Sequence, residues 1–357
     1  MRVCLLALLG LLTTGATQAP HAVGWRFELA TDAARRYEPE AGDLAGPGPR
    51  PVAITIFYPA ARQSEAPATT YRELAGLGAY DRYREPPPTA FVDAQAAALK
   101  DSWPDAVARE TRSARDVAPA RGKYPLVLFA HSTPLGMAAM GEDLAQHGFV
   151  VAGVISRGAE RGRYRLSVAD VQAMGEDLRL ALGVVGTLPF VDASRIGVIG
   201  MSNGALGAIA LANATRVQAI VSLDGTVGER AAPRVLPELA SAATPASVPP
   251  LLHLYAPDNS YLDFSELQKR PGECLTVRVP DVGHSDFLTF ALLRPADPSQ
   301  SPRRDRVTEK FSAITRLTRD FLARQLTSGA TGPVQLTESD AGLGLKTAAC
   351  RAPLIER

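Results

Sequence analysis

Arg195-Ile196-Gly197-Val198-Ile199-Gly200-Met201-Ser202-Asn203-Gly204-Ala205-Leu206-Gly207 is the stretch around which the rest of the chain is arranged. An apolar, β-branched run enters Gly-x-Ser-x-Gly, and the small-residue pattern Ala205 to Ala212 leaves it with helical spacing. Strand, sharp turn and helix in that order form a nucleophile elbow. Such a turn holds Ser202 in a strained backbone that lifts its hydroxyl off the sheet. Gly200 and Gly204 are needed because a Cβ at either place would meet the neighbouring strand or helix. A helix opening at Asn203 aims its positive end and a free backbone N–H at the reacting centre. Two other readings stand beside this one. Gly197, Gly200 and Gly204 loosely imitate a phosphate-cradling dinucleotide loop, with Asp224 near the place of a ribose-binding carboxylate. The glycines can also serve packing alone.

The chain has 357 residues, 46% of them hydrophobic and 21% charged, as in ordinary globular proteins. That length supports one large α/β core. A formal net charge of +1 leaves no surplus of Lys and Arg for a nucleic-acid or anionic-membrane footprint. Residues 1–19 read as a signal peptide: Arg2 is the basic start, Val3 to Leu12 an apolar run, and Thr13 to Ala19 small and polar. The apolar run is too short to span a bilayer. Cleavage fits after Ala16 or Ala19, although Pro20 disfavours the second. Processing would leave Cys274 and Cys350, an even pair that in an exported chain suggests one disulfide tying the tail to a late strand. The alternative is two buried thiols. No Cys or His cluster has zinc-ligand spacing, and no cofactor is expected.

Trp25 to Ala30 and Val52 to Tyr58 read as strands, forming an antiparallel ribbon on the edge of a larger sheet. Residues 60–124 lack a strong period, are broken by Pro86-Pro87-Pro88, and contain one candidate helix, Phe91 to Lys100. This stretch is an arm or lid over the site, or a solvated insertion. From Pro125 the pattern becomes regular. Strands are expected at Pro125–His131, Phe149–Ile155, Arg195–Gly200, Val217–Leu223, Leu251–Tyr255 and Leu275–Val279. Helices are expected at Met137–His147, Val168–Leu188, Asn203–Asn213 and Phe311–Leu326. The architecture is therefore α/β, an eight-stranded mostly parallel sheet with helices on both faces and the elbow on the fifth strand. The main domain spans 23–327, and 328–357 form an extended C-terminal tail.

A serine hydroxyl needs an imidazole to take its proton and a carboxylate to orient that imidazole. In the order nucleophile, acid, base, both partners follow the serine. His21 lies beside the cleavage region, His131 and His147 precede Ser202, and His253 sits inside a strand as a core histidine would. His284, in Gly283-His284-Ser285-Asp286-Phe287 after the last strand, is left as the base. Asp224 and Asp258 both end strands at the carboxyl edge, where open α/β sheets bind ligands. Asp224 is preferred, because an aspartate directly at the end of an apolar strand needs a partner. Asp258 reads as a turn residue and remains the alternative. The oxyanion donors are the Asn203 N–H and one from the loop after Pro125–His131, Thr133 or its neighbour Ser132.

Pro125 to His131, Asp143-Leu144-Ala145-Gln146-His147-Gly148-Phe149, the elbow, Ser222-Leu223-Asp224-Gly225 and Gly283 to Phe287 together resemble the α/β-hydrolase superfamily. The branch they most resemble holds platelet-activating-factor acetylhydrolases and bacterial dienelactone-hydrolase-like proteins. The strand ending Tyr58-Pro59 is similar as well, and the likeness covers roughly residues 23 to 325. It implies an α/β-hydrolase fold, Ser202, His284 and Asp224 as catalytic residues, and Asn203 and Thr133 as the oxyanion hole. In most of the superfamily the acid would instead fall at Asp258. Many relatives have His-Gly at His131-Ser132. Dienelactone hydrolases use cysteine where this chain has Ser202, so their activity is not implied. The expectation is an exported serine hydrolase of carboxylic esters, acting on a small-molecule or lipid-like substrate. It would have no nucleic-acid partner and, once processed, no integral membrane segment. The alternatives are a dinucleotide-binding oxidoreductase and a non-catalytic binding protein that kept the fold.

Overall fold

Apolar residues run through the central strands without alternating with polar ones, because both faces of the sheet are covered. Along β5 (Tyr124–Ala130), Leu126, Leu128 and Ala130 enter one core, while Val127 and Phe129 enter the other. The first core packs under helices Val168–Val185 and Gly204–Ala214. The second packs under Pro134–Gln146 and Ser301–Ala323. The computed structural model describes residues 20–38, 47–61, 66–77, 108–159, 164–241, 248–293, 301–328 and 334–351, with a few isolated positions between 90 and 97. The expected signal peptide at 1–19 and most of the candidate helix at 91–100 lie outside the described residues.

The other strands are β1 (Ala22–Tyr37), β2 (Gly48–Ala60), β3 (Ala68–Thr70), β4 (Glu110–Arg115), β6 (Val150–Val154), β7 (Val191–Met201), β8 (Ala219–Leu223), β9 (Leu251–Tyr255), β10 (Cys274–Arg278) and β11 (Lys346–Ala349). They form one sheet in the order β11-β10-β9-β8-β7-β5-β6-β2-β1-β4-β3. From β10 to β6 neighbouring strands are parallel, and β2 turns antiparallel against β6. The expected eight strands are thus eleven among the described residues, and the elbow strand is the seventh in chain order. The three additional strands carry no hydrophobic alternation. In β4 the inward positions are Thr111 and Ser113, which meet the buried Glu142 carboxylate: Ser113 Oγ donates to it at 2.6 Å. A pattern of apolar residues cannot reveal a strand whose buried side chains are polar.

Two further expectations change with those strands. The β1–β2 ribbon is not at the edge, because β4 pairs with β1 and β3 pairs with β4. Part of the supposed arm at 60–124 is thereby built into the sheet. The tail is not merely extended either. It folds into helix Glu338–Gly342, capped by the Thr337 hydroxyl, and into β11, antiparallel to β10. Cys274 and Cys350 are joined in a disulfide beside that pairing. Helix ends follow local chemistry: Pro134–Gln146 begins with Thr133 as N-cap and gives way to Gly148 at φ +87°, which glycine adopts without strain.

Candidate active site

Parallel strands place all their carboxyl ends on one edge of the sheet, and the loops leaving that edge carry the candidate residues. Ser202 directly follows β7, Asp224 follows β8, His284 follows β10, and Thr133 follows β5. Ser202 has φ +53°, a left-handed backbone that a non-glycine residue adopts at a cost. The strain is held by surrounding hydrogen bonds. The Ser202 N–H donates to the Leu223 carbonyl at 3.1 Å, and its own carbonyl accepts from Ala205 and Thr226. The glycines on either side have no room for a side chain. A Cβ on Gly200 would lie 2.4 Å from the Ala205 nitrogen, and one on Gly204 would lie 2.3 Å from the Ala130 oxygen. Backbone therefore fills the space that a phosphate would need in a dinucleotide cradle, and the glycines read as elbow residues.

Asp224 also adopts a left-handed conformation, φ +40°, and its side chain is buried. Its Oδ1 accepts the Ala256 N–H at 3.0 Å, and its Oδ2 lies 2.7 Å from His284 Nδ1. The structure thus brings His284 to Asp224. Asp258 stands on the exposed turn after β9 and lines the same cavity without reaching the imidazole in any hydrogen bond. The bond to Asp224 raises the His284 pKa; burial opposes this, and the charges of Asp224 and Glu229 add to it. With Nδ1–H donated to Asp224, Nε2 is the ring nitrogen left to accept a proton.

The loop that carries His284 is anchored from below. Buried Lys310 donates to the Pro280 carbonyl at 2.8 Å and to Asp281 at 3.0 Å, and Asp286 accepts the Gly283 N–H at 2.8 Å. Asn203 and Thr133 occupy the N-cap positions of their helices. Among the described residues no hydrogen bond engages the N–H of either. The same is true of Ser132, so geometry at this level leaves both loop donors available.

Ser202, Asp224 and His284 share a cavity of about 400 Å³, whose wall also includes Glu229, Asp258, Asn259 and Tyr261. An apolar groove of about 470 Å³ lies elsewhere, between Ile209, Leu236 and Leu267, and holds neither Ser202 nor His284. The sequence reading missed Glu229 and Tyr261, which sit in loops with no motif to announce them. It also set aside His131, whose pKa is lowered by burial and then by the His284 charge. His253 is a core residue as expected: Nδ1 meets Ser222 Oγ at 2.9 Å, and burial pushes its pKa down to about 4. Among the described residues no group of three or more His, Cys, Asp or Glu is placed to share a metal ion.

No family model matches the sequence, and neither does any curated protein. Solved structures do match. A ferulic acid esterase from Streptomyces cinnamoneus aligns over 93% of this chain and 97% of its own, with 21% identity and a TM-score of 0.65. The chain has the α/β-hydrolase fold. Two looser structural matches are a dienelactone hydrolase-like promiscuous phosphotriesterase from metagenomic libraries and the acylaminoacyl peptidase of Pyrococcus horikoshii. The first has 12% identity over 84% of this chain and 99% of its own, with a TM-score of 0.43. The second has 16% identity over 59% of this chain and 39% of its own, with a TM-score of 0.39. Beyond the eight expected strands, β3 and β4 extend one end of the sheet and β11 extends the other.

Proposed function

We propose that this hydrolase-fold chain is an exported serine hydrolase of carboxylic esters. The observation that carries the proposal is the 2.7 Å pairing of His284 with buried Asp224, in the cavity that also holds Ser202 on its strained turn. Asp224 fixes the imidazole as the Nδ1–H tautomer. His284 Nε2 takes the Ser202 hydroxyl proton as Oγ bonds to the acyl carbon. The carbonyl oxygen becomes an anion, which the N–H groups of Asn203 and Thr133 hold. Its collapse breaks the ester C–O bond, and His284 returns the proton to the departing alcohol. Water, deprotonated in turn by His284, releases the acid and restores Ser202. Export is supported by the residue pattern of 1–19 and by the Cys274–Cys350 disulfide, which persists in oxidising compartments. The ester class is open to p-nitrophenyl and hydroxycinnamoyl esters alike, since the neighbour of similar fold is named for ferulic acid.

Replacing Ser202 with Ala tests the reading. Ester turnover is expected to fall by about a million-fold, with loss of fluorophosphonate labelling and an unchanged circular dichroism spectrum. Undiminished turnover in folded S202A would refute the assignment.

A further inference from the structure

We infer that Thr289 and Gly136 form a junction that sets the oxyanion loop against the base loop, making Thr289 a positioning residue for the reaction. The inference rests on the function proposed above. Thr289 lies five residues beyond His284 and is fully buried. Its hydroxyl donates to the Gly136 carbonyl at 2.8 Å and accepts the Ala139 N–H at 3.0 Å. Its backbone N–H donates to the same Gly136 carbonyl at 2.8 Å. One residue thus makes three hydrogen bonds to the first turns of helix Pro134–Gln146, whose N-cap is Thr133.

From Gly136 the connection continues to the donor loop. Thr133 Oγ1 accepts the Gly136 N–H at 3.0 Å, and the Met137 N–H reaches the Thr133 carbonyl at 3.1 Å. There is no slack at this point. A Cβ on Gly136 would lie 2.8 Å from Ser132 Oγ, 3.2 Å from Thr133 Oγ1 and 3.3 Å from Leu288 Cδ1. Residues of both loops therefore close on one glycine. A small apolar cluster of Ala75, Leu135 and Leu293, with Tyr71 and Phe290 against it, packs beside the junction and ties in helix Tyr71–Leu77. The physical consequence is that the acceptor of the Ser202 proton and the donors to the oxyanion are held to one reference point. Misplacing a reacting group by about 1 Å can cost on the order of 100-fold in rate.

The test is Thr289→Val, which keeps the shape and removes the hydroxyl, alongside Thr289→Ser, which restores it. With p-nitrophenyl acetate and active sites counted by titration, T289V should lose about 10- to 100-fold in kcat while KM stays within about two-fold. The half-point of its pH profile should not move, because the His284–Asp224 pair is untouched, and T289S should recover most of the rate. A purely structural role would lower Tm and leave kcat per titrated site unchanged, which overturns the inference. Gly136→Ala provides a second route to the donor loop and should reproduce the kcat loss; wild-type kcat in that variant also overturns it. Hydrogen exchange separates this inference from the function it rests on. Peptides covering residues 131–140 should exchange faster in T289V than in wild type even if no ester is turned over. Equal exchange there refutes the junction, whereas an inert wild-type enzyme with faster exchange in T289V refutes the hydrolase reading alone.

Discussion

Ser202 and Asp224 share a feature that no propensity scale would assign them. Both sit at positive φ, +53° and +40°, at the ends of adjacent strands. Each is held there by a backbone bond to the next strand: Ser202 N–H to the Leu223 carbonyl, and Asp224 N–H to the Leu254 carbonyl at 2.7 Å. The strain turns both side chains out of the sheet at its carboxyl edge. Two imidazoles in this molecule then show what surroundings do to one chemical group. His253, sealed in the core, is driven towards the neutral form, while His284 gains affinity for a proton from Asp224. Activity should therefore rise with pH as His284 deprotonates, with a half-point above the ordinary imidazole value of about 6.5. Asp224→Asn should lower that half-point and cut kcat by about 10,000-fold, whereas Asp258→Asn should change neither. A pH–rate series on the two variants checks this, and equal losses from both would remove the basis for choosing Asp224. The same pair contributes to stability in the opposite sense. Its stabilisation is complete below pH 6.5 and fades as pH rises through the raised folded-state value of His284.

Among elements, the tail is where sequence and structure part most clearly. β11 (Lys346–Ala349) is four residues long and mostly exposed, too short and too polar to register as a strand. It exists because β10 offers an unpaired edge and because Cys350 is bonded to Cys274. The disulfide closes a sequence separation of 76 residues, so its loss should destabilise the fold by about 2–5 kcal/mol. Denaturant unfolding of Cys350→Ser, or of wild type after reduction, measures this. A change under about 0.5 kcal/mol would mean that the strand pairing alone holds the tail. A buried ion pair makes the same point elsewhere in the sheet. Arg50 in β2 meets Asp177 of helix Val168–Val185 through two 2.7 Å bonds and donates to the carbonyls of Arg157 and Gly158. Nothing in either segment's pattern announces that partnership, because the two residues are 127 positions apart.

At the scale of the whole molecule, a net charge of +1 conceals a local imbalance. Asp224, Glu229 and Asp258 line the cavity around Ser202, and among the described residues no Lys or Arg lines it. Tyr261, 66% exposed, stands in the same wall. A cleft lined with one sign of charge attracts the opposite sign and repels its own. Among matched acetyl esters with cationic, neutral and anionic leaving groups, the anionic ester should have the lowest kcat/KM, by about 10-fold at low ionic strength. The gap should shrink towards unity near 1 M salt, where the Debye length is about 3 Å. Stopped assays across a salt series would reveal it, and a preference for the anionic ester would contradict the charge argument.

By itself the sequence determined the layered α/β architecture, the elbow at Ser202 and the choice of His284, because these are written in local terms: apolar runs, glycine spacing and the order of residues along the chain. The sequence preferred Asp224 over Asp258 and kept both; the tertiary structure brings Asp224 to His284, and it alone decided that β3, β4 and β11 enlarge the sheet and that Glu229 and Tyr261 face the cavity. Those outcomes depend on which distant segments come within a few ångströms of one another. A carboxylate at a strand end carries no local mark of the partner it will find.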